Sequence, residues 1–164
     1  MGNLTPPLRF SYHSPTIVRS MYPNIAGARF ITEQGFRKFV SIGVGFPGTS
    51  ERFAAKDSKL TLTHFPLDVS AAVEMSPDSA HQSRCVDQVT RIIDHVLRQG
   101  DGSKIYLYDD DGYSAVGIVC AVLRRIEGWD TFSALDECFR FSPNNRWHPD
   151  MARLVESFSI SRWI

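Results

Sequence analysis

The chain has 164 residues, 43% of them apolar and 22% charged, enough for one globular domain with its own core and too apolar for a disordered segment. Eighteen basic residues balance eighteen acidic ones and neither sign runs in a long block, which argues against a generic binder of nucleic acid or of anionic membranes. The three cysteines, Cys85, Cys120 and Cys138, lie in segments of helical pattern with no short paired spacing, which points to a reducing compartment.

Residues 1–14 hold two prolines and little periodicity and read as an N-terminal arm, leaving 15–164 as a single domain. A short β-branched strand at Thr16-Ile17-Val18 precedes a Pro23-Asn24 turn. A helical pattern from Ile25 to Gln34 stops at Gly35, and Phe36 to Val44 then reads as a buried strand running into the Gly/Pro-rich turn 45–48. Glu51 to Lys56 fits a short helix, and Leu60 to Phe65 alternates at period two as a half-buried strand does. Pro66 to Gln82, rich in prolines, small residues and acids, is the longest candidate loop. Val86, Val89, Ile92, Ile93, Val96 and Leu97 recur at helical spacing before Gly100. Lys104 to Tyr108 is a short apolar strand, Asp109 to Ser114 a loop, and Ala115 to Ile126 is apolar nearly all round, as a core helix is. Helical patterns at 131–141 and 150–158 flank a Pro143-Asn144-Asn145 turn.

Strands interleaved with helices predict an α/β fold with a mainly parallel central sheet flanked by helices. In such folds anions bind where a central strand turns into a buried helix, because free N–H groups and the helix dipole meet there. Here that turn is 109–114. It carries three carboxylates, and no Lys or Arg stands between Lys104 and Arg124 in sequence. A unit charge about 4 Å from another of the same sign costs about 4 kcal/mol at an effective dielectric near 20. A phosphate is therefore expected to be rejected. Asp109 as a phosphoryl-accepting nucleophile would need a cation to neutralise the incoming group, and Asp109-Asp110-Asp111-Gly112 lacks the alternating ligands of a calcium loop. No metal or cofactor is expected.

The loop Tyr108-Asp109-Asp110-Asp111-Gly112-Tyr113-Ser114-Ala115-Val116-Gly117 lies where cysteine-dependent tyrosine phosphatases carry H-C-x-x-G-x-x-R-[ST]-G. Val18-Arg19-Ser20-Met21-Tyr22-Pro23, Gly35 to Ile42, Arg124 to Trp129 and Leu135 to Phe141 are similar to further motifs of the atypical dual-specificity phosphatases related to yeast Siw14 and the Oca proteins. The resemblance spans about residues 15–158 and implies their phosphatase-like fold. In that family a Cys thiolate attacks phosphorus, an Arg clamps the phosphoryl oxygens and a loop Asp protonates the leaving oxygen. Here Tyr108 replaces the His, Asp109 the Cys, Ala115 the Arg and Val116 the hydroxyl residue, while Gly112 and Gly117 match. Asp68 or Asp78 is the vestigial general-acid candidate.

These replacements predict a catalytically inactive phosphatase-like protein, a pseudophosphatase that acts as a scaffold or regulator through protein partners. The resemblance implies a hetero-oligomer with related phosphatases. A ligand-sensing domain using the altered pocket, or a weak phosphatase of unrecognised chemistry, are the alternatives. The Asp109 carboxylate is expected to accept the loop N–H groups in place of a bound phosphate, which would hold its ionisation low. Arg19 reads as structural, or as a partner of the acidic loop. His64, His81, His95 and His148 show no ligand spacing, and the three cysteines read as small core residues. The apolar end, 158–164, either packs on the domain or docks a partner. No apolar run approaches the roughly 20 residues of a membrane-spanning helix. The first residues carry Pro6 where a myristoylation signal wants Ser or Thr, so the cytoplasm is the expected location.

Overall fold

The period-two pattern of the strands divides the core of this computed structural model, which describes residues 4–45, 48, 52, 53, 56–69, 80–100, 102–145 and 149–164. Five strands form one sheet: β1 (Ser11–Ser14), β2 (Ile17–Met21), β3 (Lys38–Ile42), β4 (Thr61–Phe65) and β5 (Ile105–Asp109), in the spatial order β1-β2-β5-β3-β4. Only β1 and β2 pair antiparallel; β2–β5, β5–β3 and β3–β4 are parallel. The expected mainly parallel α/β sheet is therefore present. Strand β1 comes from the end of the segment read as an arm, whose pattern is too short to announce a strand.

On one sheet face Ile105 and Leu107 of β5 and Val40 and Ile42 of β3 pack under α2 (Ala80–Leu97), α3 (Ala115–Ile126) and α5 (Pro149–Ser157). On the other, Phe39, Tyr106 and Tyr108 pack with Val18 against α1 (Ile25–Glu33). Alternation along β5 thus sends aliphatic side chains one way and aromatic ones the other. Helix α3 is buried along all but its last turn because β5 leads straight into it and α2, α4 (Thr131–Phe139) and α5 surround it.

Caps follow the sequence. The Asn24 side chain accepts from Gly27 N at 2.8 Å to start α1, and Asp130 accepts from Ser133 N at 3.0 Å to start α4. Helix α2 begins at Ala80, earlier than its apolar spacing announced, so it takes the end of the stretch read as loop. Its first turn is polar and carries no periodic signal. The C-terminal segment is tied down: Trp163 Nε1 donates to Asp94 Oδ1 at 2.8 Å and Arg162 pairs with Asp94 Oδ2 at 3.0 Å. The Trp163 ring also packs against the larger core, which favours packing over a free docking segment. Among the described residues no helix is long and apolar enough to cross a membrane.

Candidate active site at the 109–115 loop

Strand β5 ends at Asp109, and its parallel partner β2 ends in register at Met21. The chain must then turn sharply to enter α3. Gly112 makes that turn at φ +76°, and a Cβ there would stand 2.6 Å from Met21 N, so only glycine fits. Ser114, the residue before α3, makes no side-chain cap. Asp111 braces the turn just before the helix: its Oδ1 accepts from Tyr113 N and Ser114 N, each at 2.8 Å, and its Oδ2 accepts from the Ser114 hydroxyl.

Asp109 is buried at the floor of the turn. Its Oδ1 accepts from Gly112 N at 2.5 Å and its Oδ2 from Val116 N at 2.9 Å. The carboxyl therefore does occupy the loop amides. Its ionisation runs opposite to expectation: burial, reinforced by the Asp111 carboxylate, pushes the pKa up to about 7, against the amide bonds and Arg19. Two amides and one guanidinium do not replace the water lost by a carboxylate in this position.

The structure brings Tyr108, Asp109, Gly112, Ala115, Val116 and Gly117 into one strand–loop–helix unit. Ala115 and Val116 are buried in the first turn of α3, and the Tyr108 ring stacks on Tyr106 beneath the sheet. Asp68 lies apart, exposed after β4, with its carbonyl accepting from the Cys85 thiol at 3.5 Å. Asp78 and His148 lie outside the described residues. Among the described residues no His, Cys, Asp and Glu cluster forms a metal site.

The loop is not without cations. Arg19, 2% exposed, donates from Nη2 to Gly112 O at 2.9 Å, lies 3.9 Å from Cys138 Sγ and stacks 4.1 Å from the Phe141 ring centre. Arg9 donates from Nη1 to Asp111 O at 2.6 Å and covers the Tyr113 ring. These residues precede the loop by 93 and 102 positions, so a search of the surrounding sequence misses them. Only the acidic-loop alternative weighed for Arg19 pointed this way. The Cys138 thiol, pushed up to about 12 by burial, donates to Gly117 O at 3.2 Å and joins α4 to α3.

At the far end of α3 from the loop, His13, a residue the sequence does not single out, bonds Glu127 at 2.8 Å. Burial works against its charge, but Cys120 and Glu127 beside it prevail and hold its pKa up to about 9. A raised histidine pKa gives stability that is full below about 6.5 and lost as pH rises through about 9. Glu127→Gln is expected to move the His13 NMR titration midpoint to lower pH; an unmoved midpoint would show that Glu127 does not hold the proton.

The sequence model of the tyrosine phosphatase family matches residues 4–163, and the chain belongs to that family. It is 25% identical to the inositol diphosphatase DSP2 of Arabidopsis thaliana over 97% of this chain and 72% of that protein. Two solved structures share the fold. The core catalytic domain of the PP-IP phosphatase SIW14 from S. cerevisiae, in complex with citrate, superposes with a TM-score of 0.79 at 18% identity, over 98% of this chain and 93% of that one. P. aeruginosa TpbA does so at 0.72 and 16%, over 95% and 88%. These findings correct the expectation of a protein that is not an enzyme. A relative aligned along nearly the whole chain is named for an enzymatic activity, and Cys138 and Arg19 place a thiol and a guanidinium side by side, buried near the loop. The inactive, scaffolding reading rested on the loop's own residues and did not include side chains that reach it from elsewhere.

Proposed function

We propose that this protein is a phosphohydrolase of its family, acting on a compact, multiply phosphorylated small molecule such as an inositol diphosphate. The named activity of the Arabidopsis relative supports the substrate class. The observation that carries the chemistry is the buried Asp109 carboxyl at the floor of the turn, with its pKa near 7. A general base works best when its pKa lies near the operating pH. In this reading Asp109 Oδ2 takes a proton from water as the water oxygen forms its bond to phosphorus. The bond from phosphorus to the leaving oxygen breaks, and that oxygen takes a proton from solvent. Arg9 at the rim and Arg19 beneath supply the positive charge that the loop sequence lacks. The three unpaired, buried cysteines fit a cytoplasmic setting.

The test is phosphate release from an inositol diphosphate by purified protein, with Asp109→Asn beside it. Wild type is expected to release phosphate at a rate that rises with pH through about 7, as the base ionises, and Asp109→Asn to fall by about 10²–10⁴-fold, the usual share of general base catalysis. No release above buffer from the wild type, or equal release from the variant, would overturn the reading.

A further inference from the structure

Two thiols meet one buried guanidinium beneath the loop, and the proposed reaction uses neither. The Cys138 sulfur lies 3.2 Å from Gly117 O and 3.9 Å from Arg19 Nη1. Cys120 stands three residues on from Gly117, one turn along the same face of α3. It faces the same guanidinium and has the His13 ring beside it. All four side chains are buried, the two thiols at 1% exposure or less.

Carboxylates do not balance the charge of this cluster. Among the described residues Arg19 Nε is buried without a hydrogen-bond partner, and no carboxylate forms an ion pair with Arg19. Asp109 gives its oxygens to Gly112 N and Val116 N instead. His13 adds a second positive charge, set against Glu127, which Arg124 also holds. A guanidinium buried without a counter-ion is costly, and a thiol beside it is an acid that can supply one. Burial alone would push the Cys120 thiol up, but Arg19 and His13 outweigh it and hold it below its ordinary value. Cys138 is pushed up to about 12 by burial and stays protonated. One sulfur is thus the better nucleophile and its neighbour an intact thiol, as an attacking and a resolving cysteine must be.

From this geometry we infer that Cys120 and Cys138 are an oxidisable pair, a modification site at which hydrogen peroxide closes a disulfide between α3 and α4. The Cys120 sulfur attacks one peroxide oxygen, the O–O bond breaks, and the departing hydroxide takes a proton from solvent to become water. Cys138 sulfur then attacks the sulfenic acid so formed. The S–S bond forms, the S–O bond breaks, and a second water leaves with the Cys138 proton. The thiols lose two electrons and peroxide gains them. Peroxide is close to water in size and needs only a local opening of α4, a nine-residue helix that buries just Ala134, Leu135 and Cys138. Closing the disulfide frees Gly117 O and removes the negative charge facing Arg19. Because Arg19 also holds Gly112 O, oxidation is felt at the Asp109 loop.

The test treats the full chain with hydrogen peroxide, blocks the remaining thiols with iodoacetamide in denaturant and maps the peptides unreduced. A Cys120–Cys138 link within one chain is expected, two hydrogens lighter than the free pair and opened by dithiothreitol. Cys85 is buried too, but burial and Asp68 both push its thiol up, so it should oxidise about tenfold more slowly than Cys120. In Cys138→Ser the reaction should stop at a Cys120 sulfenic acid, which dimedone traps. Should that variant not fold, the wild-type map decides alone. Cys120 and Cys138 left unlinked, or Cys85 oxidised as fast as Cys120, overturns the pair. None of these readouts needs turnover, so the result stands apart from the hydrolase reading.

Discussion

Gly112→Ala is expected to cost the fold roughly 2–5 kcal/mol, from left-handed backbone strain and overpacking together. At φ +76° an alanine is already strained, and its Cβ would stand 2.6 Å from Met21 N and 2.9 Å from Met21 Cα. Both obstacles are backbone, so no side chain can turn aside. Nor can the two segments move apart easily. Met21 pairs with Asp109 at the end of the β2–β5 ladder, Tyr22 N donates to Asp109 O at 2.6 Å, and Arg19 ties Gly112 O from below. Denaturant unfolding of the variant against wild type measures the loss. A change under about 1 kcal/mol would mean that β2 and the loop separate at little cost.

The second large effect is a dependence of stability on pH that belongs to Asp109. Its folded pKa is raised, from 3.8 to about 7, so its contribution is fully present below about 3.8 and lost as pH rises to about 7. The interval is a little over three pH units at about 1.4 kcal/mol each, a loss on the order of 4 kcal/mol. Asp109→Asn has no such titration. At pH 4 the variant is expected to be the weaker protein by roughly 1–3 kcal/mol, because its amide strands one of the loop N–H groups. By pH 8 that deficit should vanish or reverse. A difference between the two proteins that stays flat from pH 4 to 8 would show that Asp109 is ionised throughout. Together with the expected loss of turnover, the variant would gain neutral-pH stability as it loses activity, as happens where a site keeps a strained group for its chemistry.

How much of this was legible depends on whether the cause is local. The apolar run at 115–126 gave α3 with the bounds the structure has, because a helix buried on every side needs no partner to announce it. The strands were found to within a few residues, except β1, whose four residues alternate too briefly. The loop and its amide bonds to Asp109 followed from position alone. The ionisation of Asp109 did not, since it balances burial and Asp111 against two amides and Arg19, and burial is a property of the packed molecule. Arg9 and His13 were illegible for a related reason, and the reach of Arg19 to the loop was open only as one of two alternatives. Each meets its partner across 93 or more positions, and no spacing rule connects Arg9 with Asp111 or His13 with Glu127. The expectation of an inactive protein came from the replaced positions Asp109, Ala115 and Val116, read without the arginines that reach the loop from far in sequence.

The strand order has a consequence for how the molecule comes into being. The central strand β5 is the last of the five to be synthesised, and it pairs with β2 on one side and β3 on the other. Before residues 105–109 emerge, β2 and β3 each lack the partner that β5 gives them in the finished sheet, so the strands cannot all join. Closure joins residues nearly ninety positions apart and is slow for that reason. The same event forms the turn that holds Asp109. The site is thus assembled only when β5 joins β2 and β3, and until then the strand edges that await it are where a growing chain of this protein would aggregate.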